Sequence, residues 1–469
     1  MELNKIHNVY FIGIGGIGMS ALARYFKALG KTVAGYDRTA TNLTNELIAE
    51  GFNIHFVEDI NLIPDDFLEP DKHTLIVYTP AVPQNHIELI YFKQNNFKIK
   101  KRAEVLGLIS ENKKAIAVAG THGKTTISTM IAHVLKQADN DCTAFLGGIS
   151  KNYESNLLLS EKSDCVVVEA DEFDRSFLFL SPTIAVITSM DADHLDIYGD
   201  KEELVRSFNQ FVHKIRAGGA LFYKQGLSLE ISAKEKFTSF TYAVEEDADY
   251  KAVNIRVVHN THYFDIVTPQ GIMENLTLGV PGRVNIENIT AAVAVASHMG
   301  ITPPVIRGAL ASYSGVRRRF DYHINLPDLV YIDDYAHHPE ELKATISSVK
   351  TLYKGRKITG IFQPHLYSRT RDFADAFAES LGLLDELFLL DIYPAREKPI
   401  EGVTSSLIFH KVHMKHKTLC SKDEVINLIM DAKVDVLLTL GAGDIDTLTG
   451  YLTKMLLTKK EMNERMKKI

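Results

Sequence analysis

The segment that most constrains this chain is "KKAIAVAGTHGKTTISTMIAHVLKQ", beginning at Lys113. A short apolar run ends in glycine, a tight loop follows, and Gly-Lys-Thr opens an apolar-periodic stretch. That order is strand, loop, helix, and it places phosphate chemistry at the turn. The full spacing G-x-x-x-x-G-K-[ST] needs glycine at position 118, where the chain has Val118; the loop here is the shorter G-x-x-G-K-T, from Gly120 to Thr125. The physics is unchanged. Backbone N–H groups wrap phosphates, Lys124 reaches the β and γ oxygens, and the Thr125 hydroxyl is a ligand for Mg²⁺.

A second glycine loop lies near the start. "NVYFIGIGGIG" reads as a strand followed by Gly13, Gly15 and Gly18 in G-x-G-x-x-G spacing, and "SALARYFKALG" continues as helix. Glycines let the backbone turn and approach a pyrophosphate at the helix N-terminus. Asp37 ends the next strand, "KTVAGYD", where an acid meets a ribose hydroxyl. Taken alone, the pattern fits NAD, FAD or any nucleotide diphosphate.

Carboxylates follow two later apolar runs. "CVVVEADEFD" closes on Glu169, with Asp171, Glu172 and Asp174 behind it; "TIAVITSMDADHLDIYG" puts His194 among Asp191, Asp193 and Asp196. Acids at the C-terminal end of a parallel strand face the ligand edge of an open α/β sheet. Glu169 is placed to hold the metal of a P-loop site, and His194 is a candidate second ligand.

The rest of the chain repeats the alternation. Its 469 residues allow about three domains at ordinary domain sizes. Short continuous apolar runs predict parallel strands buried on both faces. Residues 237–280 change to an alternating pattern with turn signals, which predicts a hairpin added to the second domain. The expected fold is α/β in three domains: a Rossmann-like domain over 1–110, a P-loop domain with a mixed sheet over 111–314, and a Rossmann-like domain over 315–469. In the third, "SGVRRRFDYH", "DDYAHHPEE", "FQPHLYSRTRD" and "LGAGD" bring Arg319, Asp334, His337, His338, His365, Arg369 and Arg371 to strand ends. Arginines there suit carboxylates and phosphates.

Composition narrows the partners. Lys plus Arg is 52 against 59 Asp plus Glu, a net −7, so no general nucleic-acid face is expected. Cys142, Cys165 and Cys420 are far apart with no C-x-x-C, which indicates neither a disulfide framework nor a thiolate zinc site and suits a reducing cytosol. No apolar run is long enough to span a membrane. The expectation is a cytoplasmic protein, off the membrane.

Together the motifs resemble the Mur ligase family. "GTHGKTT", "EADE.D.SFL", "DHLD.Y", "DDYAHHP", "FQPH.Y.RT" and "YPAREKPI" occur in its order, almost end to end. The resemblance implies an ATP-dependent, ADP-forming ligase of peptidoglycan synthesis. It would join L-alanine to the lactyl carboxylate of UDP-N-acetylmuramate through an acyl phosphate, as a monomer or weak homodimer. It implies that Gly13, Gly15, Gly16, Gly18 and Asp37 hold the UDP end of the sugar nucleotide. Gly120, Thr121, His122, Gly123, Lys124, Thr125 and Thr126 would hold ATP phosphates. Asn288 would meet adenine, and Arg319 and Asp334 would reach ATP. Thr125, Glu169 and His194 would bind Mg²⁺ or Mn²⁺, and Lys124, Glu169, His194, His338 and Arg369 would carry the chemistry, Arg369 as anchor of the amino-acid carboxylate. Members commonly have histidine at Val284, serine at Phe173 and, in some, arginine at Leu366; Asn209 lies near the place where sister ligases carbamylate a lysine. The alternatives are a ligase that rejoins an intact tripeptide to the same sugar nucleotide, an NAD-dependent oxidoreductase using the first glycine loop, and a nucleotide-controlled switch.

Overall fold

The computed structural model describes residues 3–191, 195–232, 234–258, 261–395 and 397–466. Three sheets organise them. The first runs from edge to edge as Asn53–His55, Thr32–Tyr36, Asn8–Ile12, Thr74–Tyr78 and Lys98–Lys101, all pairs parallel. Along Asn8–Ile12 the side chains alternate between two cores: Val9 and Phe11 enter one, Tyr10 and Ile12 the other. Burial on both faces is why the strand reads as an unbroken apolar run. Chain order reverses direction at Asn8–Ile12, so the loop after it sits at a topological switch point, where open α/β sheets take ligands.

The second sheet has ten strands. From one edge they are Gly271–Thr277, Thr261–Thr268, Tyr250–Val258, Thr238–Val244, Ala220–Lys224, Ile184–Ile187, Lys114–Ala119, Cys165–Glu169, Thr143–Ser150 and Ser155–Leu158. Lys114–Ala119 is parallel to both neighbours, so its C-terminal end is a second switch point, followed by the helix Lys124–Gln137. The strands that alternation predicts after residue 237 are present; Thr238–Val244 pairs parallel with Ala220–Lys224 and with Tyr250–Val258. At the far edge, Thr143–Ser150 and Ser155–Leu158 form an antiparallel pair. An open edge invites unwanted pairing. Here it is covered by the helix Ile17–Ala28 of the first sheet: Asn156 donates to Ile17 O at 2.6 Å and to Ser20 Oγ at 2.9 Å, and accepts from Arg24 at 2.5 Å.

The third sheet runs Asp321–Asn325, Val330–Asp334, Val436–Leu440, Ile358–Phe362, Glu386–Leu389 and Lys417–Leu419. Its first pair is antiparallel and the rest parallel. The chain divides into two compact units. One holds the first sheet and most of the second, up to Ile255 with 264–279 and 287–314; the other takes 256–263, 280–286 and Gly315 onward. No helix among the described residues is long and apolar enough to cross a membrane.

Candidate active site

The loop after Lys114–Ala119 is glycine-dependent for reasons internal to the protein. Gly120 has φ 131°, and a Cβ there would strike the Thr188 hydroxyl and lie 2.8 Å from Ser189 N. Gly123 has φ 81° and caps the helix. Between them the backbone is pinned to the end of the neighbouring strand. Thr121 N donates to Ser189 O at 3.2 Å, His122 N to Ser189 Oγ at 2.9 Å, and the Thr188 hydroxyl to His122 O. The His122 ring lies 3.5 Å from Asp191. Thr126 is half-buried on the first turn.

Lys124 points back into the loop. Its Nζ donates to Gly120 O at 2.7 Å and to both oxygens of Glu172, at 2.7 and 3.0 Å. Burial opposes its charge, but Glu172, Asp171 and Glu169 outweigh that and hold the ammonium above its usual range. Burial pushes the Glu172 carboxyl up to about 7, with Lys124 pulling down and Asp171 adding to the rise. Sequence reading placed Glu172 only in an acidic run. That it clasps the loop lysine across 48 positions is visible in three dimensions alone.

The two metal candidates that fall within the described residues touch. Thr125 Oγ1 donates to Glu169 Oε2 at 2.8 Å. Gly147, on Thr143–Ser150, backs this carboxylate: a Cβ at 147 would overlap Glu169 Oε2. A hydroxyl and a carboxylate oxygen converging beside the lysine loop, with a glycine leaving room behind, fit a hard divalent cation. His194 lies outside the described residues. Asn288 also reaches the loop, its Oδ1 2.8 Å from where a Gly123 Cβ would be. Val284 is exposed. Asn209 is buried and accepts from Glu230 N at 3.0 Å, a structural contact.

At the first glycine loop, Gly13 has φ 89° and Gly16 caps the helix Ile17–Ala28. Gly15 N donates to Asp37 Oδ2 at 2.7 Å, and Thr39 N to its other oxygen at 3.1 Å. Asp37 therefore braces the loop in this structure. A Cβ at 15 would lie 2.5 Å from Thr44 Cγ2, and one at Gly18 would strike the Arg102 guanidinium. Only Gly16 is exposed, with no atom closer than 3.6 Å to its would-be Cβ.

Beside the helix of the first glycine loop lies a cavity of about 100 Å³, lined by Gly18, Arg102, Phe145, Gly147, Glu169 and Asp171. Lys101 and Arg102, at the start of the helix Arg102–Ser110, pair with Asp174 at 2.6 Å and Asp171 at 3.2 Å. Asp174 and Arg175 both have φ 53°, a left-handed turn that folds the acidic stretch toward them.

The second unit carries the remaining candidates. Asp334 is buried and accepts from Phe320 N at 2.7 Å and Ala336 N at 2.8 Å; burial pushes it up to about 6 against the pull of Arg319. Arg319 stacks on Tyr335 at 4.7 Å. Arg318, not singled out from sequence, faces Asp333 at 3.4 Å and Asp446 at 3.5 Å and donates to Gly441 O at 2.7 Å. His338 is a helix cap: Nδ1 accepts from Glu340 N at 3.4 Å, and its ring sits 5.1 Å from Phe373. His337 and His365 lie 5.9 Å apart, and His365 stacks on Tyr393. Arg369 is 7% exposed, in the short helix Tyr367–Asp372, whereas Arg371 is at the surface paired with Asp372. Leu366 begins that helix with φ 72°, a conformation few side chains accept.

A lysine, a threonine and a carboxylate assembled by a glycine loop at a switch point define a P-loop phosphate-binding enzyme of the α/β class. The family follows from comparison with known proteins. The model of the Mur ligase family catalytic domain matches residues 8–114, that of the Mur ligase middle domain 118–296, and that of the Mur ligase glutamate ligase domain 318–443. The chain belongs to the Mur ligase family. It is 54% identical to UDP-N-acetylmuramate–L-alanine ligase of Parabacteroides distasonis, over 97% of this chain and 98% of that one. To the enzyme of the same name from Phocaeicola vulgatus it is 52% identical, over 95% and 97%. Among solved structures, UDP-N-acetylmuramate-alanine ligase of Thermotoga maritima superimposes with TM-score 0.80 at 27% identity, covering 97% of this chain and 99% of that one. A murein peptide ligase from Psychrobacter arcticus shares the fold, with TM-score 0.68 at 20% identity over 96% and 98%.

Proposed function

We propose that this chain joins L-alanine to the lactyl carboxylate of UDP-N-acetylmuramate, using ATP and passing through an acyl phosphate, in the cytoplasm. The observation that carries the reading is identity above one half, over nearly the whole length, to an enzyme named for that reaction. The domains assigned are 1–110 for the sugar nucleotide, 111–314 for ATP and 315–469 for the amino acid.

The chemistry follows from the groups present. A carboxylate does not condense with an amine at neutral pH, so its oxygen must first be made a leaving group. The backbone N–H groups of Gly123, Lys124 and Thr125, at the start of the helix, cradle the triphosphate, which competes with Glu172 for Lys124. Released to the γ-phosphoryl, the ammonium offsets charge as the substrate carboxylate attacks, giving acyl phosphate and ADP. A divalent cation on Thr125 and Glu169 supplies further neutralisation when bound. The neutral amine of L-alanine then attacks the acyl carbon, phosphate departs, and an amide remains. No side chain needs to become covalently attached; the protein's part is to orient three substrates and exclude water.

Phosphate release, measured with ATP, UDP-N-acetylmuramate and single amino acids in turn, tests the reading. It is expected with L-alanine. Release only with an intact tripeptide indicates the rejoining ligase, and release with no amine indicates a switch. For the third domain we assign Arg369 as the anchor of the amino-acid carboxylate. Arg369→Lys keeps the charge and loses the paired hydrogen bonds, so the KM for L-alanine should rise about tenfold or more while that for ATP holds. A rise for ATP instead moves Arg369 to the phosphate site.

A further inference from the structure

We infer that Arg102 is a substrate-binding residue, an anchor for an oxyanion of the sugar nucleotide between the first glycine loop and Glu169. The inference rests on the proposed substrate and adds to it a residue that no motif singled out.

Three observations converge. The first is where the guanidinium lies. It lines the cavity beside Gly18 and shares that lining with Glu169 and Asp171. No other basic side chain lines that cavity among the described residues. The second is how little of its hydrogen-bonding capacity the protein uses. An arginine has five N–H donors. Among the described residues Arg102 spends one, a single 3.2 Å bond from Nη2 to Asp171, rather than the paired geometry that a structural arginine–carboxylate bridge adopts. The third is Gly18. In the usual glycine fingerprint the third glycine serves close helix–strand packing. Here what fills its missing side chain is Arg102 itself, so this glycine keeps the guanidinium beside the loop.

The charge balance points the same way. Glu169 and Asp171 would repel an acidic substrate passing from the first loop toward the phosphates of ATP. A sugar nucleotide with a diphosphate and a lactyl carboxylate must bring one oxyanion through this space. A planar fork with four donors that no other described residue takes matches either group. The acidic turn meanwhile keeps Arg102 in place when the substrate is absent: Lys101 holds Asp174, and Gly107 lets the helix Arg102–Ser110 close on Phe179 O.

The test is calorimetric binding of UDP-N-acetylmuramate to the intact protein, with UDP-N-acetylglucosamine as a probe that has the diphosphate and lacks the carboxylate. Arg102→Ala should weaken UDP-N-acetylmuramate by about 10- to 100-fold, the range for losing hydrogen bonds to a charged group, and leave the KM for ATP in place. Arg102→Lys should recover only part of this. Gly18→Ala keeps the arginine but displaces it, so it should show the same selective loss. Equal weakening of both nucleotides assigns Arg102 to the diphosphate, and weakening of UDP-N-acetylmuramate alone assigns it to the carboxylate. If Arg102→Ala, shown folded by its circular dichroism and melting curve, binds both as the parent does, Arg102 is a tether and the inference is wrong. Failure of the parent itself to bind UDP-N-acetylmuramate would instead overturn the proposed substrate.

Discussion

The two glycine loops have the same architecture, strand, turn and helix, yet their glycines answer to different neighbours. In the lysine loop both Gly120 and Gly123 have positive φ, and Gly120 is hemmed in by the next strand. The backbone shape is imposed before any ligand arrives. In the first loop only Gly13 has positive φ; Gly15 and Gly18 are vacant side-chain positions filled by Thr44, Asp37 and Arg102, and Gly16 alone is open. One loop is a rigid cradle with its cation already inside. The other is a bare turn whose cation comes from a helix roughly 85 positions further on. A glycine motif thus states that backbone comes close to something, and the structure says whether that something is protein or ligand.

The sharpest way to break this contrast is Lys124→Ala. Losing one preorganised donor to a developing charge costs about 10²- to 10³-fold in kcat. The effect should be confined to the lysine loop, so UDP-N-acetylmuramate binding by calorimetry should be unchanged. Near-parental phosphate release from the folded variant would end the ATP assignment.

Gly147→Ala comes next. The added methyl must displace the Glu169 carboxylate. Turnover at saturating divalent cation should fall less than turnover at limiting cation, so the activation curve shifts to higher metal. Overlaid metal titrations would make Gly147 an ordinary packing glycine.

In the first loop, Gly15→Ala and Gly16→Ala should behave as opposites. Overpacking at 15 against Thr44 costs about 1–3 kcal/mol and lowers the melting temperature. Alanine at 16 meets no close neighbour, so the protein should melt like the parent and bind the sugar nucleotide more weakly. Equal stability of the two variants would erase the distinction between protein-filled and open positions.

The smallest effect separates two buried glutamates. Glu172 faces Lys124, whereas Glu88, beneath the first sheet, accepts from the Tyr10 hydroxyl at 2.7 Å and has His55 Nε2 3.6 Å from its other oxygen. Burial pushes Glu88 up to about 7, so between its ordinary pKa of 4.5 and about 7 the folded protein holds a proton that the unfolded chain releases. Stability contributed by that proton declines as pH rises through this window. Glu88→Gln should remove the decline, its melting temperature gaining on the parent's by a few degrees toward neutral pH. Parallel melting curves across the window would show that Glu88 ionises freely.

Much of this was legible before the fold was known. The apolar runs around Asn8–Ile12, Lys114–Ala119 and Cys165–Glu169 mark strands because burial on both faces leaves no polar alternation. That Lys124, Thr125 and Glu169 come together at strand ends was legible because each sits at a fixed offset from such a run. The edge strands Lys98–Lys101 and Lys417–Leu419 were not, since a short lysine-bearing edge has no apolar signature. Nor were Glu172, Gly147 and Arg102 as site residues. Their roles come from contacts bridging 22 to 84 positions, Gly147 to Glu169 and Gly18 to Arg102 marking the ends of that range, and no local pattern encodes them. The capping role of His338 was also hidden in sequence: its Nδ1 accepts from Glu340 N at the start of the helix Pro339–Leu352.

The Asn156 clasp has a practical consequence. By fastening the helix of the first glycine loop to the edge of the sheet that carries the lysine loop, it ties the two loops together within one compact unit. On the proposed assignment of the loops, a two-headed inhibitor, with a diphosphate mimic at one end and a triphosphate mimic at the other, is expected to have a single best linker length. Stiffening that linker at the right length should improve affinity, because less freedom is then lost on binding.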